Sequence, residues 1–271
     1  MKSGTRRIII GFALGSLLAA ILACGGTATP QQATNTPQVP ATVALTPTFT
    51  PMPLYKIVNM VSNPTNETVA SPHAYTIKAQ TPFLQGSDDT RVTNFNSEMA
   101  ALTQEEFSKF KDNAMQVQPV PGLAGSSYDQ QYKLLSPPGN LISLKFQITI
   151  YIQGTAHPST HMRTITYDLE AGTDVRLAQL FLTDSDYLEK ISNFCIAQLK
   201  TRNISFESFS KGAQPLPENY GNWNVTPDGL LITFDENQVA AYAAGPQEVV
   251  VPYAELQSVI DPQGQLEGFL P

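Results

Sequence analysis

The chain has 271 residues, with 16 Lys and Arg against 23 Asp and Glu, a formal net charge of -7 and 42% hydrophobic residues. That apolar content supports a real core, and the acidity argues against nucleic acid and anionic lipid surfaces as partners while leaving a cationic partner electrostatically easy.

Lys2, Arg6 and Arg7 precede an apolar run over 8–23, the order of a secretory signal. The run ends in Ile21-Leu22-Ala23-Cys24, which resembles the bacterial lipobox; Leu22 departs from it, because a smaller residue is usual there. In that family the cysteine sulfur takes a diacylglyceryl group and becomes the new N-terminus. Residues 1–23 are therefore expected to be a lipoprotein signal peptide. Cys24 is expected to be the lipidation site, which would hold the protein outside the cytoplasm at the membrane. Loss of Lys2, Arg6 and Arg7 with the signal makes the remainder more acidic. Residues 24–53 are rich in Thr and Pro and carry no charge; such a segment stays extended and reads as a disordered tether.

Residues 54–271 then show mixed periodicities. Short strands are expected over 55–60 and 74–79, and a turn with an apolar plug over 81–86. Phe95, Met99, Leu102, Phe107 and Phe110 predict a helix over about 92–114. A Pro- and Gly-rich connection follows over 118–127. The clearest strand is 141–153: Ile142, Leu144, Phe146, Ile148, Ile150 and Ile152 alternate with Ser143, Lys145, Gln147, Thr149 and Tyr151, the pattern of a sheet with one buried side. A loop over 154–160 and a returning strand over 161–169 predict an antiparallel pair, closed by a turn at 170–173. Leu188, Ile191, Cys195 and Leu199 predict a helix over 186–200 with Asp184 or Ser185 as its cap. Strands follow at 223–225, 230–234 and 248–251, around a Thr226-Pro-Asp-Gly229 turn and a Gly245-Pro246 break. Pro252 opens a last helix expected over 253–260. The whole predicts an α+β fold of antiparallel sheets with a few helices packed on one face, divided into an N-terminal α+β part over 54–120 and a C-terminal α+β part over 121–271.

Gly154-Thr-Ala-His157-Pro158, Thr166-Tyr-Asp168-Leu169 with Gly172, and Leu177–Phe181 resemble the domain of unknown function 3298. So do Val225-Thr-Pro-Asp228-Gly229-Leu230, Phe234, Ala241-Tyr242-Ala243-Ala244-Gly245-Pro246 and Val249–Pro252. Upstream, Pro82–Gly86 followed by Phe95-Asn96 resembles its companion, domain of unknown function 4163. This pair is similar to the outer part of an anti-sigma factor that binds lysozyme outside the cell, and to the region preceding the catalytic domain of a peptidoglycan deacetylase. The resemblance implies a non-catalytic recognition module at the cell wall. With only residues 1–7 ahead of the apolar run, and nothing after Pro271, neither a cytoplasmic signalling part nor an attached deacetylase is expected.

Chemistry-bearing residues are sparse. His157 and His161 are four apart, but Pro158 between them argues against a helical zinc pair, and neither a metal nor a cofactor is expected. Thr233-Phe234-Asp235-Glu236 only superficially resembles a deacetylase strand end. The serines lack a nucleophile elbow. Cys195, on an apolar stripe, reads as a buried hydrophobe. Asp168 and Asp228 read as turn formers, and Gly229 and Gly245 as positions needing unusual backbone angles. His157, Tyr242 and Trp223 are the candidate ligand-binding residues, although core is the safer reading for Trp223, Tyr242 and Tyr253. The expected function is recognition of a cell-wall component or of a cationic extracellular protein such as a lysozyme. The rival is a cell-wall glycan hydrolase or a deacetylase-like enzyme.

Overall fold

The computed structural model describes residues 52–135, 139–202, 204 and 209–269, with the side chains of 209 and 210 excepted. The expected signal, Cys24 and nearly all of the tether lie outside the described residues. The fold is α+β. Its first sheet has six strands in sequence order: β1 (Asn59–Val69), β2 (Tyr75–Gln85), β3 (Ser126–Leu134), β4 (Leu141–Tyr151), β5 (Ser159–Asp168) and the short β6 (Thr173–Asp174). Neighbours are antiparallel except β2 and β3, which run parallel because α1 (Thr90–Gln116) carries the chain between them.

Residues expected to begin the first strand instead form a short 3-10 turn, Leu54–Lys56, and β1 starts at Asn59. The turn expected over 81–86 is likewise strand: β2 runs on to Gln85, paired with β1 throughout. Its pairing with β3 ends at Ala79, so Pro82 sits where β2 has become an edge and a missing donor does no harm. On that bare edge the Asn96 amide replaces a strand: Leu84 N–H donates to Asn96 Oδ1 (2.7 Å) and Asn96 Nδ2 donates to Leu84 O (2.9 Å). Gly86 follows at φ +110, and a Cβ there would lie 2.3 Å from Ile57 O. Pro82, Gly86 and Asn96 thus each have a structural role at this edge.

α1 buries Val92, Phe95, Met99, Leu102, Phe107, Phe110 and Ala114, spaced three to five apart so that they share one face. Phe107 stands edge-on to Tyr128 (5.3 Å between ring centres) and Phe110 edge-on to Tyr75 (5.8 Å). Burial of each such side chain contributes about 1.5–3 kcal/mol. The helix starts at Asp89, whose Oδ1 accepts from Arg91 N–H and from the Arg91 guanidinium, each at 2.9 Å. Those bonds hold the Asp89 carboxyl at about 2, below the ordinary 3.8. A depressed folded-state value stabilises the native state fully above the unfolded value and is lost as pH falls through the folded one. The thermal midpoint of Asp89→Asn should therefore fall less between about pH 4 and pH 2 than that of the parent. Equal slopes in calorimetry across that window would show that this carboxylate contributes nothing.

The single buried side expected for β4 holds only for its second half. Leu141, Ile142, Ser143 and Leu144 are all buried, because a second sheet covers the other face there. That sheet is antiparallel: β7 (Trp223–Thr226), β8 (Gly229–Phe234) and β9 (Gln247–Val251). The joint is polar. Asn224 Nδ2 donates to Ser143 Oγ and to Leu144 O, both at 2.9 Å, and Val225 N–H donates to Ser143 Oγ at 3.0 Å. The Lys145–Glu248 ion pair fastens the rim.

α2 (Tyr187–Lys200) presents Ile191, Cys195 and Leu199 to the second core. Its cap is Asp186 rather than Asp184 or Ser185, and no side-chain bond closes it; Asp184 is spent on a left-handed turn residue at φ 58. After the short α3 (Phe209–Gly212) and the β7–β9 sheet, α4 (Tyr253–Leu256) stops four residues before the expected end. The backbone beyond it is diverted into pairing, with Leu182 N–H donating to Val259 O, Asp261 N–H donating to Leu180 O, and a bridge between Phe181 and Ile260. Cys195 is fully buried, and burial pushes its thiol up to about 12. A Cys24→Ala variant should resist maleimide at neutral pH while native and react once unfolded in denaturant; rapid native labelling would contradict this environment of Cys195.

Candidate functional site: a cleft at the open edge of β5

β5 pairs with β4 along its whole length, but its other edge is covered only in places. Ser143 and Thr166 face each other with their hydroxyl oxygens 3.0 Å apart, as do Thr149 and Thr160 at 3.1 Å. Leu169 N–H donates to Asn140 O at 2.8 Å, so 167, 165, 163 and 161 turn their backbone groups toward β4, and 160, 162, 164 and 166 turn theirs away. At one end, Thr160 N–H donates to Glu236 Oε2 (3.2 Å) and Met162 N–H donates to Asp235 Oδ1 (2.7 Å). At the other, Val175 N–H donates to Thr166 O (2.7 Å) and β6 takes over. Between these caps lies Thr164, whose outward N–H and C=O have no partner among the described residues. Only its Oγ1 is engaged, accepting from Trp223 N–H at 2.9 Å.

A cleft of about 390 Å³ opens at this gap. α1 forms one wall with Glu98, Leu102 and Glu105; Arg163 and Ile165 of β5 form its floor; Asp174 closes one end and Trp223 stands on the far side. Glu98 and Glu105 reach the same wall because they lie seven residues, about two turns, apart on the helix. Burial, followed by the negative charge of Asp174, pushes the Glu98 carboxyl up. Neighbouring Glu106 is almost wholly buried and holds Arg163 Nη1 at 2.7 Å, with Lys109 at 3.7 Å and His161 Nε2 at 3.6 Å. Glu105 pairs with Lys109 at 2.7 Å. Glu98 and Asp174 form no such ion pair among the described residues. The cleft is thus cationic only where Arg163 is already neutralised, and anionic elsewhere.

Of the residues singled out from the sequence, Trp223 lies at this cleft but is 6% exposed and mostly core. His157 and Tyr242 lie together elsewhere, on two adjoining loops. Their ring centres are 4.4 Å apart, Tyr242 Oη donates to Pro158 O (2.7 Å), and His157 Nδ1 lies 2.9 Å from the same oxygen. Tyr253 is buried and donates to Thr226 O (2.8 Å). Asp168 Oδ1 accepts from Glu170 N–H and Ala171 N–H, a turn cap. Asp235 and Glu236 serve as caps for a strand edge, and burial pushes Asp235 up. No group of three His, Cys, Asp or Glu side chains able to hold a metal occurs among the described residues. Glu98, Glu105, Arg163 and Asp174 were not legible as a set. The strand carrying Arg163 was expected, but no sequence pattern places it against the helix face that carries Glu98 and Glu105.

Among proteins of known sequence, the chain is 24% identical over 171 residues to the peptidoglycan-N-acetylmuramic acid deacetylase PdaC of Bacillus subtilis, covering 62% of this chain and 36% of that protein. It is 27% identical over 107 residues to the immunogenic protein MPT64 of Mycobacterium tuberculosis, covering 40% of this chain and 47% of that one. The chain thus spans between a third and a half of the length of these relatives. Two solved structures share the fold. One is a DUF3298 family member from Bacteroides fragilis, with TM-score 0.59 and 17% identity over 75% of this chain and 94% of that one. The other is a DUF3298 family protein from Pseudomonas aeruginosa, with TM-score 0.58 and 14% identity over 76% and 95%. Residues 178–254, from the turn before α2 into α4, match the family described as "Protein of unknown function (DUF3298)".

Proposed function

We propose that this is an extracytoplasmic recognition protein, anchored to the membrane through lipidated Cys24, whose α+β domain binds a cell-wall component or a cationic extracellular protein such as a lysozyme. The observation that carries the binding reading is the cleft at the β5 edge, where Glu98 and Asp174 stand without a cation. A positive group entering there regains the interaction that burial denies Glu98, so binding should strengthen as pH rises and that carboxyl ionises. The name of the deacetylase relative supports a setting at peptidoglycan. Calorimetric titration with peptidoglycan fragments and with lysozymes tests the domain; failure of both to bind removes the named partners. Metabolic labelling with a lipid probe tests the anchor, with loss of label in Cys24→Ala the expected result and unchanged label the contrary one.

The second reading is an enzyme acting on wall glycans. The observation favouring it is the same pair of carboxylates, one raised by burial beside another, which is how an acid is kept protonated for proton transfer. Turnover of peptidoglycan fragments that is lost in Glu98→Gln would establish it over the binding reading.

A further inference from the structure

We propose that the open stretch of β5 is a strand-addition site: an extended polypeptide segment pairs its backbone with Thr164 and sets a Lys or Arg side chain between Glu98 and Asp174. This rests on the recognition reading and narrows its partner to a basic stretch of extended polypeptide.

The first support is backbone stereochemistry. Alternation along β5 points Met162 C=O, Thr164 N–H, Thr164 C=O and Thr166 N–H outward, between the Asp235 cap and the Val175 bond. None of these four groups has a partner among the described residues. They offer the next strand a short ladder of two donors and two acceptors. Elsewhere this edge is blunted by carboxylates or by β6, as sheet edges usually are.

The second support is the shape of the walls. Side chains of an added strand would alternate between the two faces of the sheet. One set would meet Glu98, Leu102, Glu105 and Asp174, and the other would meet Trp223. The third is charge. Arg163 is taken by Glu106 and Lys109 by Glu105, leaving Glu98 and Asp174 to attract a cation. A second copy of the same edge is disfavoured as occupant, because it would bring its own acidic groups against these.

The test uses a blocked nonapeptide alternating lysine and valine, with the emission of Trp223, the only tryptophan in the chain, as the readout. A saturable change in emission is expected. N-methylation of the amides on the edge-facing side should weaken binding by about tenfold or more while keeping every charge. The double variant Glu98→Gln, Asp174→Asn should weaken it by about tenfold at low salt with an unchanged thermal midpoint. Equal binding of the N-methylated peptide, or no change in emission at all, would overturn strand addition, as would a peptide-independent dimer detected by light scattering that buries Trp223. If wall fragments or lysozymes bind and the peptide does not displace them, strand addition falls and the recognition reading stands. If the peptide binds as described while wall fragments and lysozymes do not, strand addition stands and the named partners fall.

Discussion

Gly229→Ala is expected to destabilise the domain by about 3 kcal/mol or more, lowering the thermal midpoint by about 6–12 °C. Gly229 opens β8 at φ +154, and a Cβ there would lie 2.3 Å from Val251 O and 2.9 Å from Val251 C. Those atoms are backbone of β9, paired with Leu230 in the same sheet, so they cannot swing aside as a side chain can. Relief would require β8 and β9 to part, exposing Leu230, Ile232, Phe234, Val249 and Val251, all buried in the second core. Gly245→Ala is the control. Gly245 also has a positive φ of 64, with ψ -171, a region essentially reserved for glycine, but a Cβ there meets nothing within 4 Å, so only the conformational cost of about 1–3 kcal/mol applies. Equal midpoints for the two variants in differential scanning calorimetry would show that close approach to β9 is not what requires the glycine at 229.

The second large effect is expected from Phe95→Ala, about 3–5 kcal/mol from lost burial and the cavity left behind. Phe95 is fully buried on α1 and stands edge-on to Tyr167 at 5.2 Å; Tyr167 in turn donates to Arg91 O at 3.0 Å. Together they clamp the first half of α1 against β5, and this clamp sets the width of the cleft between Glu98 and Arg163. Chemical denaturation should show the lost stability. Binding at the cleft should weaken further than Leu84→Ala weakens it, since Leu84 is also buried in the first core but does not line this cleft. Similar binding by two comparably destabilised variants would mean that α1 placement does not control the site.

The legible parts of the fold were those in which local pattern and tertiary setting agree. Phe95, Met99, Leu102, Phe107 and Phe110 recur at helical spacing and are all buried, with every one but Leu102 in the first core. Thr226–Gly229 turns where its Pro and Gly require, and Gly245 breaks the chain where expected. The extension of β2 through Pro82 was missed because a proline in a strand depends on whether the neighbouring strand is still present, and here β3 ends its pairing at Ala79. The early end of the last helix was missed because Val259 and Asp261 find backbone partners in Leu182 and Leu180, far away in the chain. The second buried face of β4 was missed for the same kind of reason: Ser143 reads as a solvent-facing polar residue until Asn224 is placed beside it.

By itself the sequence determined the α+β class, the antiparallel β4–β5 pair, the helical stripe of α1 and the burial of Cys195. All of these follow from spacings within one segment, where the 3.6- and 2-residue periods write burial directly into residue order. Only the tertiary structure decided where a ligand could enter. Glu98 and Glu105 come from a helix, Arg163 and Thr164 from β5, Asp174 from β6 and Trp223 from the second sheet. Their significance arises from an edge of β5 left uncovered between two caps. Whether an edge is covered depends on segments far away in the chain, and no local pattern encodes it.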